Sequence, residues 1–276
     1  MRQTNMLEAL QFDFMQNALI AGLVASIICG IMGTLVVVNR IVFLSGGIAH
    51  AAYGGVGLAF FLKWPYLPST MGFSFFASMI MAMVSHKAKH RADTIIGVIW
   101  AIGMAFGIIM IDITPGYNAD LMSYLFGSIL TVTRNDIHIM LIIALLMTIL
   151  ARLFYKDLIA MSYDEEFAKT RGVPVVKIYF GLIGMLAITI VLLIQIVGLI
   201  LVIALLTIPP YIAEKYVKSL FQMMVVSAFL GAVFTVAGLF ISYSYNLTSG
   251  ASIIMVSGVA FMFSLIIDRI KFLLPF

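Results

Sequence analysis

One histidine interrupts a glycine-rich apolar run, and it is the side chain best placed to do chemistry. The run reads Phe43-Leu-Ser-Gly-Gly-Ile-Ala-His-Ala-Ala-Tyr-Gly-Gly-Val-Gly57. On a helix Gly47, His50, Gly54 and Gly57 share one face, and Gly46 lies one turn before the imidazole. Glycines on such a face let another backbone, or a substrate, approach closely. An ionisable group at membrane depth is costly and by default marks a pathway. Two readings stay open: a histidine hydrogen-bonded to a neighbouring helix as glue, or a ligand for a borderline cation such as zinc, manganese or iron. A single imidazole cannot hold a metal alone. Two copies of His50 facing one another across a dimer axis would make a weak, releasable site.

A second interruption falls at Thr207-Ile-Pro-Pro-Tyr211. Neither Pro209 nor Pro210 can donate an amide hydrogen bond, so a helix interior is expected to kink or break there. Broken helices at membrane depth line cavities or are buried in protein, and one interrupted segment in each half of a chain points to a transport site. Plain packing of a kinked helix is the other reading. Gly46, Gly47, His50, Gly54, Gly57, Pro209 and Pro210 are therefore the candidate translocation-path residues.

The third feature is an acidic turn, Ser162-Tyr-Asp-Glu-Glu-Phe-Ala-Lys-Thr-Arg-Gly-Val-Pro174. Ser162 and Glu165 have capping-box spacing. Asp164, Glu165 and Glu166 sit at the positive end of the helix dipole, and Lys169 and Arg171 at the negative end. Gly172 can adopt the left-handed closing conformation, with Pro174 preventing continuation. A two-turn helix over 163–171 is expected, too short to be stable alone in water. It is either a connector on the membrane surface or a coupling helix seated in a partner's groove, with Phe167 and Ala168 as its apolar contacts. His86 and His90, spaced i, i+4, are better explained by the basic loop around them than by a metal.

These residues must be held by membrane helices. The chain is 63% hydrophobic and 10% charged over 276 residues, with a mean hydropathy of +1.15. A soluble domain needs about 25% charged residues to coat its surface, so lipid is the outer solvent. Runs long enough to cross about 30 Å of hydrocarbon fall at 14–38, 43–62, 66–85, 94–112, 137–155, 175–195, 197–213, 219–243 and 250–268. A shorter run, 121–130, is a half-helix or re-entrant piece. The expectation is one all-α, polytopic transmembrane domain over 1–276, with about nine spans (eight to ten) and discontinuous helices.

With the N-terminus outside, thirteen of the 16 Lys and Arg fall inside, and only Arg2, Lys63 and Arg134 outside. The positive-inside bias puts the C-terminus and the acidic turn in the cytoplasm. The net charge of +4 reflects those loops rather than a nucleic-acid partner. The lone Cys29 allows no internal disulfide. No G-x-x-x-x-G-K-[ST] loop is present, so no nucleotide site lies in the chain. No Asp or Glu falls in the middle of a span, which argues against an ion-coupled secondary transporter.

Six blocks in order resemble one family over nearly the whole chain. They are Arg40 to His50, Asp93-Thr-Ile-Ile-Gly-Val, Tyr124 to Leu130, Tyr163 to Gly172, Val197 to Pro209, and Leu247-Thr-Ser-Gly-Ala251. Together they are similar to the permease subunits of bacterial ATP-binding-cassette importers for zinc, manganese and iron(II). The resemblance implies a homodimer in the cytoplasmic membrane, two ATPase subunits and an extracytoplasmic metal-binding receptor. It implies no bound cofactor and no enzymatic activity in this chain, with a divalent metal ion (zinc first, then manganese or iron) as cargo. It also implies that His50 lies on the path and that Asp164, Glu165, Glu166, Phe167, Ala168, Arg171 and Gly172 form the coupling helix on the ATPase. The family pattern often has Asp where this chain has Gly46, and Asp after Leu-Phe-Gly where it has Ser128. Loss of those hard oxygen ligands disfavours manganese. A metal-chelate or siderophore permease is the alternative within the same class.

Overall fold

The computed structural model describes residues 11–87, 91–115, 127 and 129–273. Among them every regular element is helical. In chain order these are α1 (Asp13–Val38), α2 (Val42–Leu62), α3 (Tyr66–Lys87), α4 (Ala92–Asp112), a 3₁₀ turn (Ile129–Thr131), α5 (Arg134–Leu153), α6 (Tyr155–Tyr163), α7 (Glu165–Thr170), α8 (Val175–Val197), α9 (Leu199–Glu214), α10 (Leu220–Tyr245) and α11 (Ser249–Leu273).

Each of the nine expected crossings coincides with one of α1–α5 and α8–α11. Eight of them are long and apolar enough to cross a membrane. The exception is α9, whose 16 residues reach about 24 Å. The short run at 121–130 lies outside the described residues, apart from Gly127, Ile129 and Leu130.

Two compact units emerge from the contacts. The first takes in Met1–Val37, Phe126–Leu145 and Ile196–Phe276, and the second Val38–Leu125 and Leu146–Gln195. In the first, α1 packs on α10 through small residues. Gly30 lies against the Ala228 backbone, and the hydroxyl pairs Ser26–Thr235 and Thr34–Ser227 each stand 3.4 Å apart. Where lipid gives no hydrophobic drive between helices, such close packing and polar contacts hold them together. Lys215, just past α9, pairs with Asp268 of α11 at 2.5 Å and donates to Ser264 Oγ at 2.9 Å.

In the second unit α2 is the buried centre, packed on α3 and α4. Its alanines, Tyr53 and all its glycines but Gly46 face inward. Large apolar side chains elsewhere in the unit stay exposed, among them Phe76 (67%) and Ile102 (63%). That is the inverse of a soluble protein and the expected surface for a lipid solvent.

Candidate functional site

The glycine face of α2 serves two purposes rather than one. A side chain at Gly57 would run into the Gly107 backbone of α4, and one at Gly54 would meet Phe73 and the Gly103 carbonyl. A side chain at Gly47 would meet Ile96 at 2.5 Å. These three glycines are packed closely against α3 and α4, the backbone approach that was one of the two uses expected of a glycine face. The physical reason is reciprocity: Gly103 and Gly107 of α4 are themselves spaced i, i+4, so two bare backbones meet.

Gly46 differs, because a Cβ there would have nothing within 4 Å. One turn on, the half-buried His50 lies flat on Trp100 of α4, with ring centroids 4.0 Å apart and 14° between planes. Phe43 tilts against the same indole at 6.1 Å, and the indole N–H points to Met104 Sδ at 3.2 Å. His50 Nδ1 is buried with no hydrogen-bond partner among the described residues. The glue reading requires such a partner, so the geometry favours an imidazole held by stacking with a nitrogen to spare. Sequence reasoning missed Trp100. The usable signal was a tryptophan in mid-span rather than in the interfacial belt where Trp64 lies.

The expected break at Pro209 and Pro210 is not there. Helix α9 runs unbroken through both prolines, which are buried. The missing amide of Pro210 frees the carbonyl of Leu206 one turn back. That carbonyl faces Gly33 of α1, where a Cβ would sit 2.5 Å from the oxygen and 2.8 Å from the Pro210 ring. A bare backbone thus fits against the freed group, and a buried neighbour helix makes the prolines tolerable. The discontinuity lies eleven residues earlier. Gly198, at φ 86° and ψ 158°, separates α8 from α9, a conformation almost restricted to glycine. Gly127 comes against the Val197 and Gly198 backbone there, itself at φ 59°.

The acidic turn is built differently at its start and as expected at its end. Ser162 is not its cap, because α6 continues through Tyr163. Asp164 is extended, at φ −152° and ψ 97°, and its carboxylate accepts from the Phe167 amide at 2.9 Å. An aspartate two residues nearer the helix reaches the orphan amides first. At the other end Gly172 takes φ 81°. The Val173 amide donates to Ala168 O at 3.1 Å and the Gly172 amide to Lys169 O at 3.0 Å, which is a Schellman closure. Lys169 pairs with Glu165 at 2.7 Å, and the Arg171 guanidinium lies 5.2 Å from the Phe167 ring centroid. Ala168 is fully buried inside this closure, so it offers nothing to a partner, and the exposed apolar group of α7 is Phe167 (53%).

A family model described as the ABC 3 transport family matches residues 11–268. The chain belongs to the ABC 3 transport family. It is 34% identical over 256 residues to the manganese import system permease protein ScaB of Streptococcus gordonii, covering 93% of this chain and 92% of that one. It is 49% identical over 264 residues to an uncharacterised membrane protein of Synechocystis, slr2045, covering 96% and 94%. Among solved structures, PsaBC from Streptococcus pneumoniae in complex with Fab aligns with a TM-score of 0.84 at 34% identity, covering 94% and 93%. Multi-span helices in this family belong to the bacterial cytoplasmic membrane.

In this ABC 3 member, His50, Trp100 and the turn lie in the second unit, and Pro209, Pro210 and Gly198 in the first. No three His, Cys, Asp or Glu side chains converge to hold a metal ion among the described residues. His86 sits 6.1 Å from the Tyr179 ring, while His90 lies outside the described residues, as does Ser128.

Proposed function

We propose that this chain is the membrane permease of an ATP-driven importer carrying a divalent transition-metal ion into the cytoplasm. Two copies form the pathway, two ATPase subunits bind the cytoplasmic face, and an extracytoplasmic receptor delivers the ion. The observation that carries the reading is His50: a single imidazole with an unpartnered Nδ1 beside an open position at Gly46. One neutral ligand per copy holds a cation weakly, and weak ligation suits passage rather than storage. Imidazole without carboxylate favours zinc over manganese, whereas the named Streptococcus gordonii relative imports manganese.

Positive-inside charge supports a cytoplasmic α7, whose exposed Phe167 and Glu166 would face a groove on the ATPase. Nucleotide-driven closure moves the two α7 turns and rocks the permeases about the path. Gly46, bare and open, also leaves room for an ion bound in a small chelate.

The test is uptake by the reconstituted importer of manganese(II), zinc(II) and iron(II), free and chelated, in competition. His50→Ala is expected to cut uptake about tenfold or more, the scale of a lost metal ligand interaction, while the ATPases still assemble. Uptake equal to wild type in that variant removes His50 from the path, and uptake without ATP removes the importer reading.

A further inference from the structure

Helix α6 ends beside the joint between α1 and α2. Asn39 Nδ2 donates to Ser162 Oγ at 3.0 Å, and Ser162 Oγ lies 3.3 Å from Asn39 Oδ1, to which it can donate in turn. The two residues are 123 positions apart in the chain, and both belong to the second unit. Ser162 stands two residues before Asp164, the cap of α7. Asn39 immediately precedes Arg40, which takes a left-handed φ of 57°. Helix α2 starts at Val42 and runs without a break to His50, about 12 Å along its axis. The pair thus ties the approach to the acidic turn to the head of the helix bearing the histidine.

Two features suit it to motion rather than to fixed packing. First, both side chains line a polar cavity of about 720 Å³, together with Arg40, Asp93, Tyr163 and Glu165. Water in such a space can satisfy either group when the contact opens, so breaking it leaves no buried orphan. Secondly, Arg40 takes a left-handed φ just past the end of α1, so α1 and α2 are separate helices there and the joint is not held by a continuous helical ladder.

We propose that the Asn39–Ser162 pair is the transmission link that passes displacement of the α7 turn to α2 and His50. Asn39 and Ser162 are then positioning residues of the transport step, touching neither ion nor nucleotide. The inference rests on the importer reading above.

The experiment uses the complete importer in proteoliposomes, measuring manganese(II), zinc(II) and iron(II) taken up per ATP hydrolysed. Asn39→Ala and Ser162→Ala are each expected to lower that ratio by about threefold or more, the range of a lost hydrogen bond or coupling contact. Ser162→Thr, which keeps the hydroxyl, is expected to hold the ratio, and the exchange Asn39→Ser with Ser162→Asn to recover it. A wild-type ratio in both alanine variants overturns the link, as does an exchange no better than the single alanines. If wild-type importer moves none of the three ions with ATP, free or chelated, the importer reading falls instead, so the two failures are distinct.

Discussion

Gly198→Ala should destabilise this permease where loss of its prolines should not. Gly198 is buried at φ 86° and ψ 158° between α8 and α9, a region that costs a residue with a Cβ about 1–3 kcal/mol. For a chain of this size each kcal/mol lowers the melting temperature by roughly 2–4 °C, so a drop of about 2–12 °C is expected. The protein carries its own reporter. Cys29 is the single cysteine and is 1% exposed, so a thiol-reactive dye stays dark until α1 is opened. Pro210→Ala supplies the contrast. Helix α9 is already continuous through that position, and alanine is favoured over proline in a helix by about 3 kcal/mol. Its melting temperature should equal or exceed wild type, less whatever the ring's contact with Gly33 contributes. An unchanged melt for Gly198→Ala, with a fall for Pro210→Ala, would refute the placement of the break at the glycine.

The same dye melt separates the glycines of α2. Gly57→Ala drives a Cβ into the Gly107 backbone, which cannot rotate away, so a loss of about 1–3 kcal/mol is expected; Gly46→Ala meets nothing within 4 Å and should stay within about 0.5 kcal/mol of wild type. Equal melts for the two would undo the distinction between packed and open glycines. Phe167→Ala removes the exposed apolar group of α7 and should leave the melt alone while weakening ATPase binding about threefold to tenfold, as a modest interface anchor does. Undiminished co-purification of the ATPase at limiting concentration would take Phe167 out of the interface.

Nearly all of the helix map was legible in the sequence, because twenty-residue apolar runs have few alternatives when lipid is the solvent. The turn at 164–172 was legible too: Gly172 and Pro174 close it as expected, and the error at Ser162 came from two acceptors competing for one set of amides. Asp164 won because it lies at the helix edge, while Ser162 is held in α6 and hydrogen-bonded to Asn39. That long-range bond leaves no mark in local spacing. Nor does the stacking of His50 on Trp100, which depends on how α2 and α4 approach.

The prolines misled for a reason that generalises. Proline lacks one donor and crowds one carbonyl, and both defects can be absorbed by a neighbour bare enough to lie close, as Gly33 is. Glycine in the left-handed extended region cannot be absorbed into a helix at all. A break is therefore better sought at a glycine whose flanks are both strong helix formers, as Val197-Gly198-Leu199 is, than at a proline pair. The same logic sorts the small residues around the histidine. Gly54 and Gly57 have counterparts in Gly103 and Gly107, spaced i, i+4 on α4, and paired glycines on two helices mean two backbones in contact. Gly46 has no counterpart among the described residues. An unreciprocated glycine one turn from a lone imidazole leaves volume that no described neighbour fills, which is the room for cargo that the proposed importer reading needs.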